Sequence, residues 1–478
     1  MKSSTKRINN NNNNKNFDIE LNFIKKIDAI ENFELKSANS GGLRAILNRG
    51  ELNFKLEINN ILPTNSSFQD LSFSFDNKTF LTKEFNNVRK ETKLSSNSDA
   101  QFLTCIDLDT FHSTAFKKEG RYKSFYPVEL KDIKTFHNEF ETVTYQRNGI
   151  EHYYDCLRIT IEKLEYDLTQ IKDETQGFYI FECLQNQTFE DFSEACYSIQ
   201  QAVGFINTLM VGGEKFVFDN YGEFYYSNFI RPTLRGLYRP VFSNPYSNLD
   251  IEKKVADKMI NKLSRISIEN LSSLASSIHQ NTVFSVVILI ILESTSVRSL
   301  LLLPSSFAVI IEQLSKHLNV EEVGLDKPIV DLGLEAIIIN ELHQVIDKNK
   351  INLAPENILK LKRRLNGINR PTNKKTLTNN EKLTRPFEQL KIDLSLQDIS
   401  IIEHRNDLFH GNILLNINEV RDEEATNVYL AYASAKLFTL ISKLILKSIG
   451  YTGYIYNQAK YLENKIGLKT NEEYFDKI

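Results

Sequence analysis

Hydrophobic and polar residues alternate with a period of two along much of the first third of the chain. Leu52-Asn53-Phe54-Lys55-Leu56-Glu57-Ile58 and Leu71-Ser72-Phe73-Ser74-Phe75 are examples. Successive side chains of a strand point to opposite faces, so each such segment predicts a half-buried strand. Turn residues punctuate them: Ser40-Gly41-Gly42, Asp76-Asn77 and Asn148-Gly149. This rhythm across residues 17–175 predicts an antiparallel sandwich or barrel-like sheet. Asn148-Gly149 lies between Thr142-Val143-Thr144-Tyr145 and His152-Tyr153-Tyr154. That arrangement predicts a hairpin closed by a two-residue type I′ turn.

The period changes near Thr188. Phe192, Ala195, Cys196, Ile199, Val203 and Ile206 fall on one helical face, which predicts a helix from Phe189 to Met210, ended by Gly212-Gly213. Phe216 to Tyr226 then alternates around Asn220-Tyr221-Gly222 as a second hairpin. From Leu249 the spacing is helical almost throughout. The predicted helices are Asp250–Ser264, Ile268–Leu292, Pro304–Leu318, Leu332–Asp347, Ala354–Asn366, Ser395–His410, Asp422–Ile449 and Tyr451–Leu468, with a short turn starting at Pro386. The expected fold class is therefore α+β, a β-rich domain over 17–175, a mixed region over 176–248 and an all-α bundle over 249–478. Residues 1–16 are basic, contain six consecutive Asn and have no apolar core. They read as a disordered tail rather than a leader or anchor. The apolar run Val286–Leu292 is broken by Glu293, Ser294, Thr295, Ser296 and Arg298, which predicts a buried core helix and no membrane span.

Composition narrows the chemistry. The chain has 478 residues and a formal net charge of −3, so no global field points to nucleic acid. The four Cys form no CxxC pair, which argues against a zinc site and fits free thiols in the cytoplasm. No metal site and no cofactor are expected. One segment departs from the average: Lys360 to Lys391 holds ten Lys or Arg against Glu381 and Glu388. Lys374, Lys375 and Arg385 within it would hold an RNA backbone; a solvated linker is the other reading. Arg231, Arg235 and Arg239 recur at four-residue intervals, either for RNA or, with Pro232 and Pro240 between them, as contacts inside the fold.

The strongest candidate chemistry lies at Glu403-His404-Arg405-Asn406-Asp407-Leu408-Phe409-His410-Gly411. Ser395 is a predicted N-cap with Asp398 three residues on. In one continuous helix Asn406 and His410 share a face, Glu403 lies on it two turns earlier, and Arg405 must reach round to it. Arg can hold a phosphate, and His titrates near neutral pH. The spacing alone is weak, since Arg147-Asn148-Gly149-Ile150-Glu151-His152 repeats it inside the predicted hairpin.

The stretch resembles the Arg-x4-6-His signature of the HEPN superfamily, in which a polar residue, often Asn, follows the Arg and His-Gly is a common ending. A β-rich front half followed by such a helical region is similar to ApeA-type bacterial anti-phage proteins. The resemblance implies a metal-independent endoribonuclease acting in abortive infection. Arg405 would bind the scissile phosphate, Asn406 would position His410 or donate to phosphate, and His410 would act as general base or acid on the RNA 2′-OH. It also implies a homodimer or higher homo-oligomer with a composite site, and a β-rich half that senses a phage-derived trigger. The alternative is a non-catalytic HEPN module that binds nucleotide or protein. A metal-dependent nuclease is disfavoured, because no paired carboxylates stand at ligand spacing.

Overall fold

The computed structural model describes residues 14–28, 33–37, 40–50, 53–58, 71–82, 86–94, 100–229, 231–318, 332–365, 379–404, 423–462 and 472–478. The fold is α+β, with a large antiparallel sheet in the amino-terminal part and helices after it. The described helices are α1 (Asp18–Asp28), α2 (Phe189–Asn207), α3 (Lys253–Met259), α4 (Ile268–Gln280), α5 (Thr282–Val297), α6 (Leu302–Leu318), α7 (Leu332–Lys348), α8 (Pro355–Leu365), α9 (Asn379–Gln389), α10 (Leu396–Glu403) and α11 (Glu423–Ser448). Two compact units result, one of Met1–Leu314 with Ile392–Ile478 and one of Ser315–Lys391.

Among the described residues fourteen strands join in one sheet, open at two edges, Cys156–Ile161 and Asn86–Leu94. Tyr122–Val128 lies between Gly177–Cys183 and Glu214–Asp219, and Phe224–Asn228 pairs with Thr110–Ser113. Strands from the region read as a mixed connection thus complete the sheet. Two turns follow the sequence signals, whereas Ser40-Gly41-Gly42, read as a turn, opens the strand Ser40–Arg49. Asp76 and Asn77 have φ of 47° and 61°, and Asn148 and Gly149 have 50° and 76°, the left-handed pairs that type I′ turns need.

One face of the sheet packs on α1, a helix inside the region read as β-rich. Its Leu21, Phe23, Ile24 and Ile27 are buried. Phe23 meets Phe75, Phe80, Phe218 and Phe224 at ring distances of 5.9, 6.4, 5.8 and 5.1 Å, so one side chain ties four strands together. On the opposite face, Tyr122 lies 5.5 and 5.3 Å from Phe189 and Phe192 of α2. The edge at Cys156–Ile161 is closed by α4. Thr160 N–H donates to Ser272 Oγ at 3.0 Å, and Ser276 Oγ donates to Thr160 O at 3.2 Å. These serines satisfy backbone groups that an exposed edge would leave open to another strand.

Four helical expectations are corrected. Ile268–Leu292 is two helices bent by 109°, because Asn281 leaves the helical region and its side chain caps the Phe284 N–H. Asp250–Ser264 shrinks to α3. Pro386 does not start a turn but lies within α9, where its missing N–H removes one helical bond. Of the predicted helix Tyr451–Leu468 only residues 451–462 are described, and they hold no α-helix: Gly450 has a φ of 85°, and Tyr454–Tyr456 pairs as a strand with Phe475–Lys477. Tyr-Ile-Tyr fits a pleated surface better than a helix. The expected core helix appears as α5, which buries Phe284, Val287, Ile288, Ile291 and Leu292.

The end of the segment read as tail belongs to the fold. Lys15 N–H donates to Gln146 O at 2.8 Å. The Lys15 ammonium is buried 2.7 Å from Asp167 and 2.6 Å from Glu182, and Arg158 grips Asp167 at 2.9 and 3.0 Å. Burial disfavours the charged Lys15, but Asp167 above all raises its pKa again and keeps it protonated. Lys15→Ala is expected to cost about 2 kcal/mol, read from the urea midpoint, with Arg158 retaining part of the compensation for Asp167. An unmoved midpoint would mean that Glu182 loses nothing with the lysine.

Candidate functional site

The approach to the predicted motif is built from α10 and α11. Ser395 caps α10: its hydroxyl accepts from Asp398 N–H at 3.1 Å, and Asp398 accepts in return from Ser395 N–H at 2.9 Å. This capping box settles two of the amino-terminal donors that the helix cannot pair internally. Ile401 and Ile402 are buried, and α10 packs against α11.

Beneath the cap lies a buried ionic cluster. Lys436 of α11, 1% exposed, places its ammonium 2.8 Å from Asp398 and in contact with Glu472. Ser395 Oγ reaches Glu472 at 3.3 Å, and Asn457 Nδ2 donates to it at 3.0 Å. Burial works against ionisation of Asp398, but Lys436 foremost holds its carboxyl below the ordinary range. Burial likewise opposes the charge on Lys436, and Asp398 with Glu472 overcome it and raise its pKa. Seven residues on, Lys443 pairs with Asp476 at 2.8 Å. One helix is therefore fastened to the start of α10 and to the carboxy-terminal strand pair.

The window Thr426–Ser448 within α11 is long and apolar enough to cross a bilayer, yet 83% of it is buried in the protein. Phe438 sits 6.3 Å from Phe205 of α2, 5.2 Å from Tyr238 and 5.9 Å from Phe307 of α6. The helix is the packed centre of this region.

α10 ends at Glu403, with Glu403 exposed and His404 as its half-buried C-cap. Arg405, Asn406 and His410 lie outside the described residues, as do Asp407, Lys374 and Lys375. The expected shared face of Asn406 and His410 falls there too. Arg385 is half-buried on α9 in the second unit.

The decoy spacing is fully placed. Arg147 Nη2 donates to Asp18 at 3.2 Å, and His152 stacks on Tyr145 with ring centroids 4.9 Å apart. Both are committed to holding the hairpin, as the turn pattern predicts. The three arginines at four-residue intervals are also internal contacts. Arg231 donates to Gln200 at 3.1 Å, Arg235 grips Asp132 at 2.7 and 3.1 Å, and Arg239 reaches Glu139 at 3.0 Å.

Three of the four cysteines lack reactive surroundings. Cys156, Cys183 and Cys196 are buried, and burial pushes the Cys156 thiol up to about 12. Among the described residues no group of three or more His, Cys, Asp or Glu is arranged to hold a metal ion. The sequence reading missed the Lys436 cluster. Its signal was a lysine on the buried stretch of a mostly apolar helix, a position tolerated only with a buried counter-charge. No family model, curated protein or solved structure matches the chain.

Proposed function

We propose that this protein is a metal-independent endoribonuclease of the HEPN type that acts in anti-phage defence by cutting RNA. The observation that carries this reading is the segment Arg405-Asn406-x3-His410-Gly411 following a helix whose first turn is pinned in the interior by Asp398 and Lys436. A catalytic group needs such a rigid support to be held near its productive geometry. In the proposed reaction the 2′-oxygen attacks the adjacent phosphorus and the 5′-oxygen leaves. His410 takes the 2′-OH proton or supplies one to the leaving oxygen. Arg405 holds the phosphate and offsets the charge that builds on it, with Asn406 positioning His410 or donating to the same group. Lys374, Lys375 and Arg385 bind the RNA backbone beyond the cut. A homo-oligomer in the cytoplasm, released by a phage-derived trigger acting on the β-rich region, completes the proposal.

The test is the chemistry of the ends. RNA incubated with the purified chain should yield 2′,3′-cyclic phosphate and 5′-OH termini, with and without EDTA. A single deoxy substitution at the cleaved nucleotide should block that cut, since the nucleophile is then missing. Termini carrying 5′-phosphate, or activity that EDTA removes, would refute the mechanism. RNA bound but never cut would instead mark a non-catalytic binding module.

A further inference from the structure

Two of the regularly spaced arginines, Arg235 and Arg239, line a cavity of about 180 Å³. Its walls come from residues 132–139, the end of α2, the strand at Leu234–Arg235 and the residue after α5. Four cations line it, Lys134, Arg235, Arg239 and Arg298, against two carboxylates, Asp132 and Glu139. Each carboxylate is already engaged by an arginine, Asp132 by Arg235 and Glu139 by Arg239. The balance is two positive charges, on Lys134 and Arg298. Both are exposed, and among the described residues neither has an ion-pair partner within the salt-bridge distance. Neutral donors complete the lining: Thr135, Thr208 and Asn207.

Arg298 caps α5 in the left-handed region, with φ of 58°, where glycine is the favoured residue. The helix dipole favours a cation at that end, which accounts for the sign of its charge. It does not account for Lys134, which comes from the loop between residues 132 and 136 and adds a second positive charge, felt by Glu139. We propose that this cavity is a binding site for a small dianionic oxyanion, the phosphate of a phosphomonoester or free phosphate. Phosphate carries close to two negative charges at neutral pH and offers several strong acceptors, which matches a lining with a net positive charge and a ring of donors. The volume sets the size. At roughly 30 Å³ per water it equals about six waters, below the roughly 300 Å³ at which pockets for drug-sized ligands begin. A phosphate with a short organic substituent fits; a peptide does not. The site is independent of the nuclease reading.

Calorimetric titration of the full chain tests it, using inorganic phosphate, ribose 5-phosphate and acetate in separate runs at low ionic strength. One equivalent of phosphate or of the sugar phosphate should bind saturably, and acetate much more weakly. Tighter binding of ribose 5-phosphate assigns the site to an organic phosphate; equal binding assigns it to free phosphate. The double variant Lys134→Gln with Arg298→Gln should weaken either by about tenfold or more, as two charge-assisted contacts are lost. Its melting temperature without ligand should stay at the wild-type value, because both side chains are exposed. No saturable binding of either phosphate by the wild-type chain overturns the proposal, and so does undiminished affinity in the folded double variant.

Discussion

Replacing Arg405 or His410 with Ala is expected to reduce single-turnover RNA cleavage by about a thousandfold or more. Each residue has a separate task in the proposed reaction, so each single change should be sufficient. His410→Ala removes the proton carrier, and Arg405→Ala removes the cation that offsets phosphate charge in the transition state. Substrate affinity should change less than the cleavage rate for His410→Ala, since proton transfer matters only as the reaction proceeds. The control is His152→Ala. It carries the same sequence spacing but stacks on Tyr145 inside a hairpin, so its loss should leave cleavage near wild type. Full activity in His410→Ala, or loss of activity in a folded His152→Ala, would reverse the assignment of motif and decoy.

The second large effect is expected at Lys436. Truncation to Ala leaves Asp398 and Glu472 facing each other in the interior without their shared cation. Removing one partner of a buried ion pair typically costs about 3–5 kcal/mol, most of it the penalty on the charge left behind. The pH dependence separates this from lost packing. In the wild type Asp398 is held below its ordinary range, so its stabilisation is present above about pH 3.9 and fades as pH falls through the lowered value. Lys436 is raised, so its share is present below about pH 10.4 and fades only as pH rises through the raised value. The deficit of Lys436→Ala should thus be steady around neutrality and shrink in acid, where the orphaned Asp398 takes up a proton. Combining it with Asp398→Asn and Glu472→Gln should recover much of the lost stability. Denaturant midpoints across pH measure all three outcomes. A deficit under about 1 kcal/mol would place the cluster in water rather than in the core.

Local signals were legible and distant ones were not. Asn148-Gly149 and Asp76-Asn77 declared their turns because few residues tolerate positive φ. Ser395 and Asp398 declared a helix start three residues apart, and the capping box is present. α1 escaped because eleven residues of helical period sit among alternating segments, and its apolar stripe was absorbed into them. The strand Tyr454–Tyr456 escaped because it is three residues long and follows twenty-six residues of strong helical pattern. The partners of Lys436 were beyond reach for another reason. Asp398, Lys436 and Glu472 come from separate stretches of chain, and no periodicity links them. For the candidate site, the residue types of Arg405, Asn406 and His410 carry the chemistry, while the support that holds α10 is a tertiary property.

The packing of α1 also fixes the order in which the chain can mature during synthesis. Lys15 waits for Glu182, 167 residues later. Phe23 waits longer still, for Phe218 and Phe224. At about 5–20 residues per second, the gap from Lys15 to Glu182 alone leaves the ion pair beside this helix unmade for roughly 8–30 s. Through that interval Leu21, Phe23, Ile24 and Ile27 have only the part of the sheet around Phe75 and Phe80 to cover them. The nascent chain thus carries an incompletely covered amphipathic segment until the strand ending at Asn228 has emerged.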